Sequence, residues 1–152
     1  MGDITVKIGD DNTEKIKQAL QDAGLVALDA AGLQAATLAR MELQNTPSRI
    51  DTGLLRNSIT HAVAGKPAAI SGYRADDPKK GRQDSGSYSG SAPAADDPKK
   101  PFVLIGTNVE YAGYVHEGTS NMAPNRFIKN ALETNQAELE KIIRTVLRKL
   151  MS

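Results

Sequence analysis

Apolar positions along the chain follow two rhythms. Between Asp3 and Ile8, the residues Ile4, Val6 and Ile8 alternate with Asp3, Thr5 and Lys7, the period expected of a half-buried strand. From about Thr13 to Asn45 the spacing changes to three and four. Ile16, Ala19, Leu20 and Ala23 share one helical face, and Leu28, Leu38 and several alanines extend it. Gly9-Asp10-Asp11-Asn12-Thr13 lies between the two rhythms and supplies capping side chains, with Glu14 where a carboxylate suits a helix N-terminus. Gly24 and Gly32 each cost about 1 kcal/mol relative to alanine in a helix interior. A break or kink is therefore expected near Gly24, leaving a short helix and then a longer one. The alanines at 27, 30, 31, 35, 36 and 39 let another backbone approach closely, either the chain's own sheet or a partner subunit.

Asn45-Thr46-Pro47 stops the helix, because the residue before proline is pushed out of helical geometry. A compact corner follows from Arg49 to Ile59. Asp51 or Thr52 caps a short turn, Gly53 gives it freedom, and Leu54, Leu55 and Ile59 tuck inward. Ser58–Val63 reads as a strand with Ile59 and His61 on one face. Val103-Leu104-Ile105 is a second short strand, running into a Gly106-Thr107-Asn108 turn. One amphipathic turn comes next, ended by Gly118-Thr119. Its Tyr111 and Tyr114 are three apart and share a face, so they can anchor together on a neighbouring sheet, on the last helix or on another subunit. Ser120–Arg126 is a loop, and Phe127–Met151 a single amphipathic helix. Its apolar face carries Phe127, Ala131, Leu139, Ile142, Ile143, Val146, Leu147 and Leu150. Lys141, Arg144, Arg148 and Lys149 complement the negative end of that helix dipole.

Between Gly65 and Pro101 the composition turns to Gly, Ser, Pro, Ala, Asp and Lys, and only Ala69–Tyr73 hints at strand. Ala75-Asp76-Asp77-Pro78-Lys79-Lys80 recurs as Ala95-Asp96-Asp97-Pro98-Lys99-Lys100. Such a segment buries too little apolar surface to order itself, and loops this long in small domains are functional or disordered. It is read as an inserted assembly loop, with Tyr73, Arg74, Lys79, Lys80, Arg82, Tyr88, Lys99 and Lys100 its contact residues toward a neighbouring subunit or ring.

The 152 residues fit one domain with a core of its own. There is no cysteine, which excludes disulfides and thiolate metal sites. Nineteen basic and eighteen acidic side chains leave a net charge of +1, too little to draw the chain to nucleic acid or an anionic membrane. Each Asp-Asp-Pro-Lys-Lys block balances its own charge, so a contact to DNA phosphates passing through a ring is the most that the loop lysines offer. The N-terminus lacks the basic and apolar regions of a signal peptide, and the apolar stretch Ala23–Ala39 is interrupted by Asp29 and Gln34. A soluble chain made in the cytoplasm, with no membrane partner, is expected.

Candidate chemistry is sparse. His61 and His116 have no metal-ligand spacing, and Glu117, although next to His116, is expected to point away from it. Asp51-Thr52-Gly53 matches an acid-protease motif by letters alone, and a turn explains all three residues. Gly86-Ser87-Tyr88-Ser89-Gly90 has tyrosine where a nucleophile elbow needs serine and lies outside any strand-to-helix turn. No catalytic, metal or cofactor site emerges, and a non-enzymatic chain is expected.

Three motifs, in order, resemble a family of tailed-phage morphogenesis proteins, the head–tail joining or tail-completion proteins of lambda-like siphophages and related prophages. The first is Thr46-Pro47 followed by Asp51-Thr52-Gly53-Leu54-Leu55-Arg56-Asn57-Ser58-Ile59. The second runs from Ile105 to Thr119, and the third is Ala123-Pro124-Asn125-Arg126-Phe127-Ile128-Lys129-Asn130-Ala131-Leu132. The likeness covers about residues 13–64 and 102–150. It departs from the family pattern at Arg126 and Asn130, where prolines are common, and at His116-Glu117, which replaces an acidic-aromatic pair. The start of the last helix should therefore be less rigidly set. The expected fold is a single α+β domain, a long N-terminal helix and a C-terminal helix on a small antiparallel sheet, with a long inserted hairpin loop at about 65–101 outside the likeness. The resemblance implies an α+β protein with helices packed on an antiparallel sheet. It also implies a ring, a hexamer or dodecamer, in the virion neck or tail, whose partners are copies of itself and other neck and tail-tube proteins. Tyr111, Tyr114, Val115, Glu117 and Arg126 are the expected interface residues. The alternative is a morphogenesis factor or small hydrolase that acts in assembly and is absent from the mature particle.

Overall fold

A 32-residue helix, α1 (Thr13–Gln44), organises the structure. The computed structural model describes residues 13–44, 53–77 and 81–152. The strand expected at Asp3–Ile8 and the caps expected at Asp51 and Thr52 lie outside the described residues. α1 passes through Gly24 without a break, so the division into two helices is overturned. Good helix formers flank Gly24, and Ala23 and Ala27 are buried beside it. Tertiary packing of that kind outweighs a penalty of about 1 kcal/mol.

α1 lies across an antiparallel sheet that among the described residues has two strands, β1 (Thr60–Val63) and β4 (Val103–Gly106). His61 stands opposite Ile105, and Val63 opposite Val103. The approach is closest at Gly32. A Cβ there would be 2.7 Å from both His61 Cδ2 and Val103 Cγ2, so the helix sits this near the sheet because residue 32 has no side chain. His61 is buried and its Nε2 is 2.9 Å from Asp29 Oδ1. A carboxylate only accepts, so Nε2 carries the proton and donates. Arg40 Nη2 donates to Ile59 O at 2.5 Å, a second tie between α1 and the strand entry.

The corner forms a short helix, α2 (Leu54–Ser58), preceded by Gly53 at φ 92°, a left-handed conformation that suits glycine. Leu55 and Ile59 are buried as expected. Within the insertion, β2 (Gly72–Asp77) and β3 (Arg82–Ser87) pair as an antiparallel hairpin. After β4 come α3 (Ala112–Glu117), α4 (Phe127–Thr134) and α5 (Gln136–Met151). The single last helix is thus two, divided at Asn135 (φ −114°, ψ 20°), whose Nδ2 donates to Ala131 O at 2.9 Å. An asparagine side chain that bonds locally competes with the helical backbone, and here it ends the run.

One core joins these elements: Ala36, Ala39 and Leu43 of α1, Leu55 and Ile59 of the corner, Val109, Ala112 and Val115 around α3, and Phe127 and Ala131 of α4. Phe127, Leu43 and Ile59 are its largest fully buried apolar side chains, each worth about 1.5–3 kcal/mol of burial. The α1 alanines at 27, 31, 35, 36 and 39 are all buried, so they serve packing within the chain. The outward face of α1 carries Val26, Leu33 and Met41 instead. α5 lies along α1, tied by Gln34 Nε2 to Glu138 Oε1 at 3.2 Å, and has no fully buried residue.

The two helical glycines should respond oppositely to alanine. Gly32→Ala should lose about 1–3 kcal/mol, because its methyl group collides with a packed sheet. Gly24→Ala, with nothing within 4 Å of the added Cβ, should gain up to about 1 kcal/mol. Urea denaturation of the two variants measures both.

Candidate functional site

The inserted segment is pinned to the body of the protein largely by hydrogen bonds, with Tyr73 and buried Ala75 among its apolar contacts. Asn108, in the turn after β4, is the hub. Tyr73 donates its hydroxyl to Asn108 Oδ1 at 2.6 Å, Asn108 Nδ2 donates to Ser87 O at 2.8 Å, and the Asn108 backbone N–H donates to the Tyr88 hydroxyl at 3.2 Å. Tyr88 in turn donates to Ser58 O at 2.6 Å, and Asn57 Nδ2 donates to Arg74 O at 2.8 Å. The Tyr73 and Tyr88 rings meet at 5.6 Å, tilted by 54°. Tyr73 crosses Gly86, its cross-strand partner, so closely that any side chain at 86 would displace the ring. Burial, then the neighbouring Tyr88 and Tyr111, push the Tyr73 phenol above its ordinary value of 10.0.

This corrects one expectation about the insertion. Among its described residues the segment is ordered as a hairpin, by polar bonds to Asn57, Ser58 and Asn108 together with buried Ala75 and the packing of Tyr73 on the core. Tyr73 and Tyr88, expected to reach a neighbour, make these bonds within their own chain while staying half-buried. Among the other loop residues, the Arg74 guanidinium is exposed and pairs with Asp76 at 2.5 Å. Lys99 and Lys100 are exposed on a turn closed by Asp97, which accepts from the Lys99 N–H at 2.9 Å. Arg82 opens β3. Lys79 and Lys80 lie outside the described residues.

The expected interface residues gather on and beside α3. Tyr114 is 66% exposed and Tyr111 43% exposed, whereas Val115, on the same turn, is 7% exposed and part of the core. Val115 therefore supports the surface from beneath and offers none of its own. A turn of helix with Ala112 and Val115 buried must present residues 111 and 114 outward. Glu117 and Arg126 flank the pair, with Arg126 Nε 3.9 Å from Glu117 Oε2.

His116 and Glu117 do not point apart. Nδ1 of His116 is 2.9 Å from Glu117 Oε1, and Nε2 accepts from the Lys129 backbone N–H at 3.4 Å. The carboxylate requires a proton on Nδ1, which leaves Nε2 free to accept. His116 thus satisfies a donor in the first turn of α4, a helix with no side-chain cap of its own. Its ring also meets Phe127 edge-on at 5.3 Å. The hydrogen bond from His116 holds the Glu117 carboxyl below its ordinary value, assisted by the charges of Arg126 and Lys129. Between α3 and α4 lies an open hollow of about 320 Å³, lined by Gly113, His116, Glu117 and Ile128 among others. The α4 entry at Arg126 is fixed by Asn125. That residue is buried, its Nδ2 donating to Glu42 O at 3.2 Å and its N–H to Val115 O at 2.9 Å. Residue spacing alone did not single out Asn57, Asn108 or Asn125; the cue available was an amide beside each motif's turn.

Among the described residues no helix is long and apolar enough to cross a membrane. Comparison with family models, with curated proteins and with solved structures finds no match to this chain.

Tyr88→Phe removes one donor and one acceptor and should cost about 1–3 kcal/mol, with faster amide exchange across Gly72–Ser87. Unchanged exchange there would show that the hairpin does not depend on this bond. For Glu117, the lowered carboxyl value means that its contribution is present above the ordinary carboxylate range and fades as pH falls through the folded value. His116→Ala should move the Glu117 midpoint upward in an NMR pH titration.

Proposed function

We propose that this chain is a structural subunit of the neck or head-proximal tail of a tailed phage, a head–tail connector or tail-completion protein that works as a ring of copies without catalysis. One observation carries the reading. The tyrosine motif, which resembles that family's, folds into a turn whose buried side is locked in the core while Tyr114 is held out at 66% exposure. Aromatic side chains are favoured at the centres of protein interfaces because they cover much area at little cost in side-chain entropy. Held on a rigid turn and flanked by the Glu117–Arg126 pair, Tyr114 supplies an anchor with a polar rim. The corner motif and the entry to α4 likewise occupy structural joints, at Gly53 and at Asn125–Phe127, which accords with the resemblance.

In a head-to-tail ring each subunit uses two different patches, one toward each neighbour. The α3 patch is one of them. The proposed partners are copies of this chain, then the neighbouring neck and tail-tube proteins, with phosphates of the passing genome near the exposed loop cations. The proposed location is the virion, after synthesis in the host cytoplasm.

Tyr114→Glu tests the patch. It should change folding stability by less than about 0.5 kcal/mol, as surface substitutions do, while light scattering shows the oligomer falling to monomers. An oligomer of unchanged mass would remove Tyr114 from the interface. Mass spectrometry of purified particles tests the rest. A connector stays in the mature virion, and its absence there would replace this reading with that of an assembly factor that leaves.

A further inference from the structure

The sheet under α1 has two edges, and they differ. Ala64 N–H donates to Phe102 O at 2.9 Å, so in this antiparallel register residues 102, 104 and 106 face β1, while Val103 and Ile105 turn their peptide groups to the far side. On the β1 edge, His61 O and Val63 O accept from Ala69 and Lys66. Along the β4 edge no strand pairs among the described residues. That edge reads Val-Leu-Ile-Gly, with none of the charges, prolines or bulges that keep exposed edges from pairing. Leu104, on the face away from α1, is 49% exposed.

We propose that the β4 edge takes up residues 3–8 of a second copy of this chain, joining neighbouring subunits by one added strand; this rests on the ring reading above. Residues 3–8 carry the complementary pattern. With Val6 opposite Val103 and Ile4 opposite Ile105, the apolar side chains continue the face that packs on α1, and Asp3, Thr5 and Lys7 fall on the other. Main-chain bonds would give the affinity and this alternation the register.

Chain length argues against this register being filled from within one copy. Val103 packs against Gly32, about 28 Å along the helix axis from Thr13 at 1.5 Å per residue. β1 runs against α1, since His61 meets Asp29 and Ile59 meets Arg40, and β4 therefore runs with it. Placing Val6 beside Val103 leaves Ile8 about 22 Å along the axis from Thr13. The link from Ile8 to Thr13 spans at most about 18 Å when fully extended. A neighbouring copy has no such restriction. A strand given to one neighbour and received from the other is head-to-tail, the symmetry that closes a ring.

The chain has no cysteine, so introduced thiols act alone. Thr5 and Leu104 would form a non-hydrogen-bonded cross-strand pair, with Cα atoms about 4.5 Å apart, within disulfide range. Full-length T5C and L104C proteins are mixed and oxidised, beside a control mixture of L104C with S120C. A covalent dimer from the first mixture alone supports the pairing, as does a ladder of linked subunits from the T5C/L104C double variant. An intramolecular disulfide in the double variant, no dimer from the mixture, or equal yield from the control overturns it. Light scattering of the unmodified protein separates the two failures. An oligomer without the cross-link sinks the strand exchange and leaves the ring reading standing; a monomer without it sinks both.

Discussion

Everything in this fold hangs on how near α1 comes to the β1–β4 sheet. Gly32 removes the one side chain that would hold them apart, and the buried alanines around it let the sheet, α4 and α5 close on one helix. Apart from Leu43, that face buries mainly alanine, and the core draws the rest of its volume from the other elements: Leu55 and Ile59 at the corner, Phe127 at the start of α4, and Val109 and Val115 around α3. Close approach then fixes the rest. The strand entry is tied to Arg40, the sheet to Asp29 and the entry of α4 to Glu42, so α1 holds three otherwise distant segments.

Around this apolar centre, polar joints carry a large share of the specificity. Asn108 gathers both loop tyrosines and one strand end, and Ser58 Oγ meets Thr107 Oγ1 at 2.5 Å beneath them. The Ser58–Thr107 contact and the Tyr88–Ser58 bond are partly shielded from water, where an unmatched donor or acceptor costs about 1–3 kcal/mol, whereas the Asn108 bonds are exposed. The hairpin therefore has one docked position, although it contributes little to the core. The same joints place α3, because Val109 N–H donates to Thr107 Oγ1 just before it. A loop that is poor in apolar residues and a turn that displays tyrosines are thus built on one hydrogen-bonded platform.

The periodic parts of this architecture were legible in sequence. The long helix, the corner, both strands of the main sheet, the tyrosine turn and the helical character of the C-terminus follow from apolar spacing and turn residues. What spacing does not carry is pairing between distant positions. The repeated hexapeptide shows why: Ala75 and Asp76 end a strand with Ala75 buried, whereas Asp97 in the second copy closes an exposed turn. Local letters are equal and tertiary context decides. The inserted hairpin was expected, but its strand bounds and its docking were not legible for the same reason, since its partners lie seventeen to thirty-five residues away in sequence. Gly24 and Asn135 each looked neutral or reversed because a single residue's preference yields to, or prevails over, the packing around it. On the candidate surface, the exposure of Tyr111 and Tyr114 followed from the turn, whereas Val115 shows that adjacency in a motif does not mean a shared face.

The division at Asn135 has a dynamic consequence. α5 is severed from α4, which holds Phe127 and Ala131 in the core, and none of its own residues is fully enclosed. Helices attached in this way open at lower free energy than the structure they rest on. The sixteen residues of α5 are therefore expected to open as a unit of their own, detaching and re-docking while α1, the sheet and α4 stay folded. Protection against solvent exchange should grade accordingly, weakest at Met151 and strongest where Leu43, Ile59 and Phe127 meet.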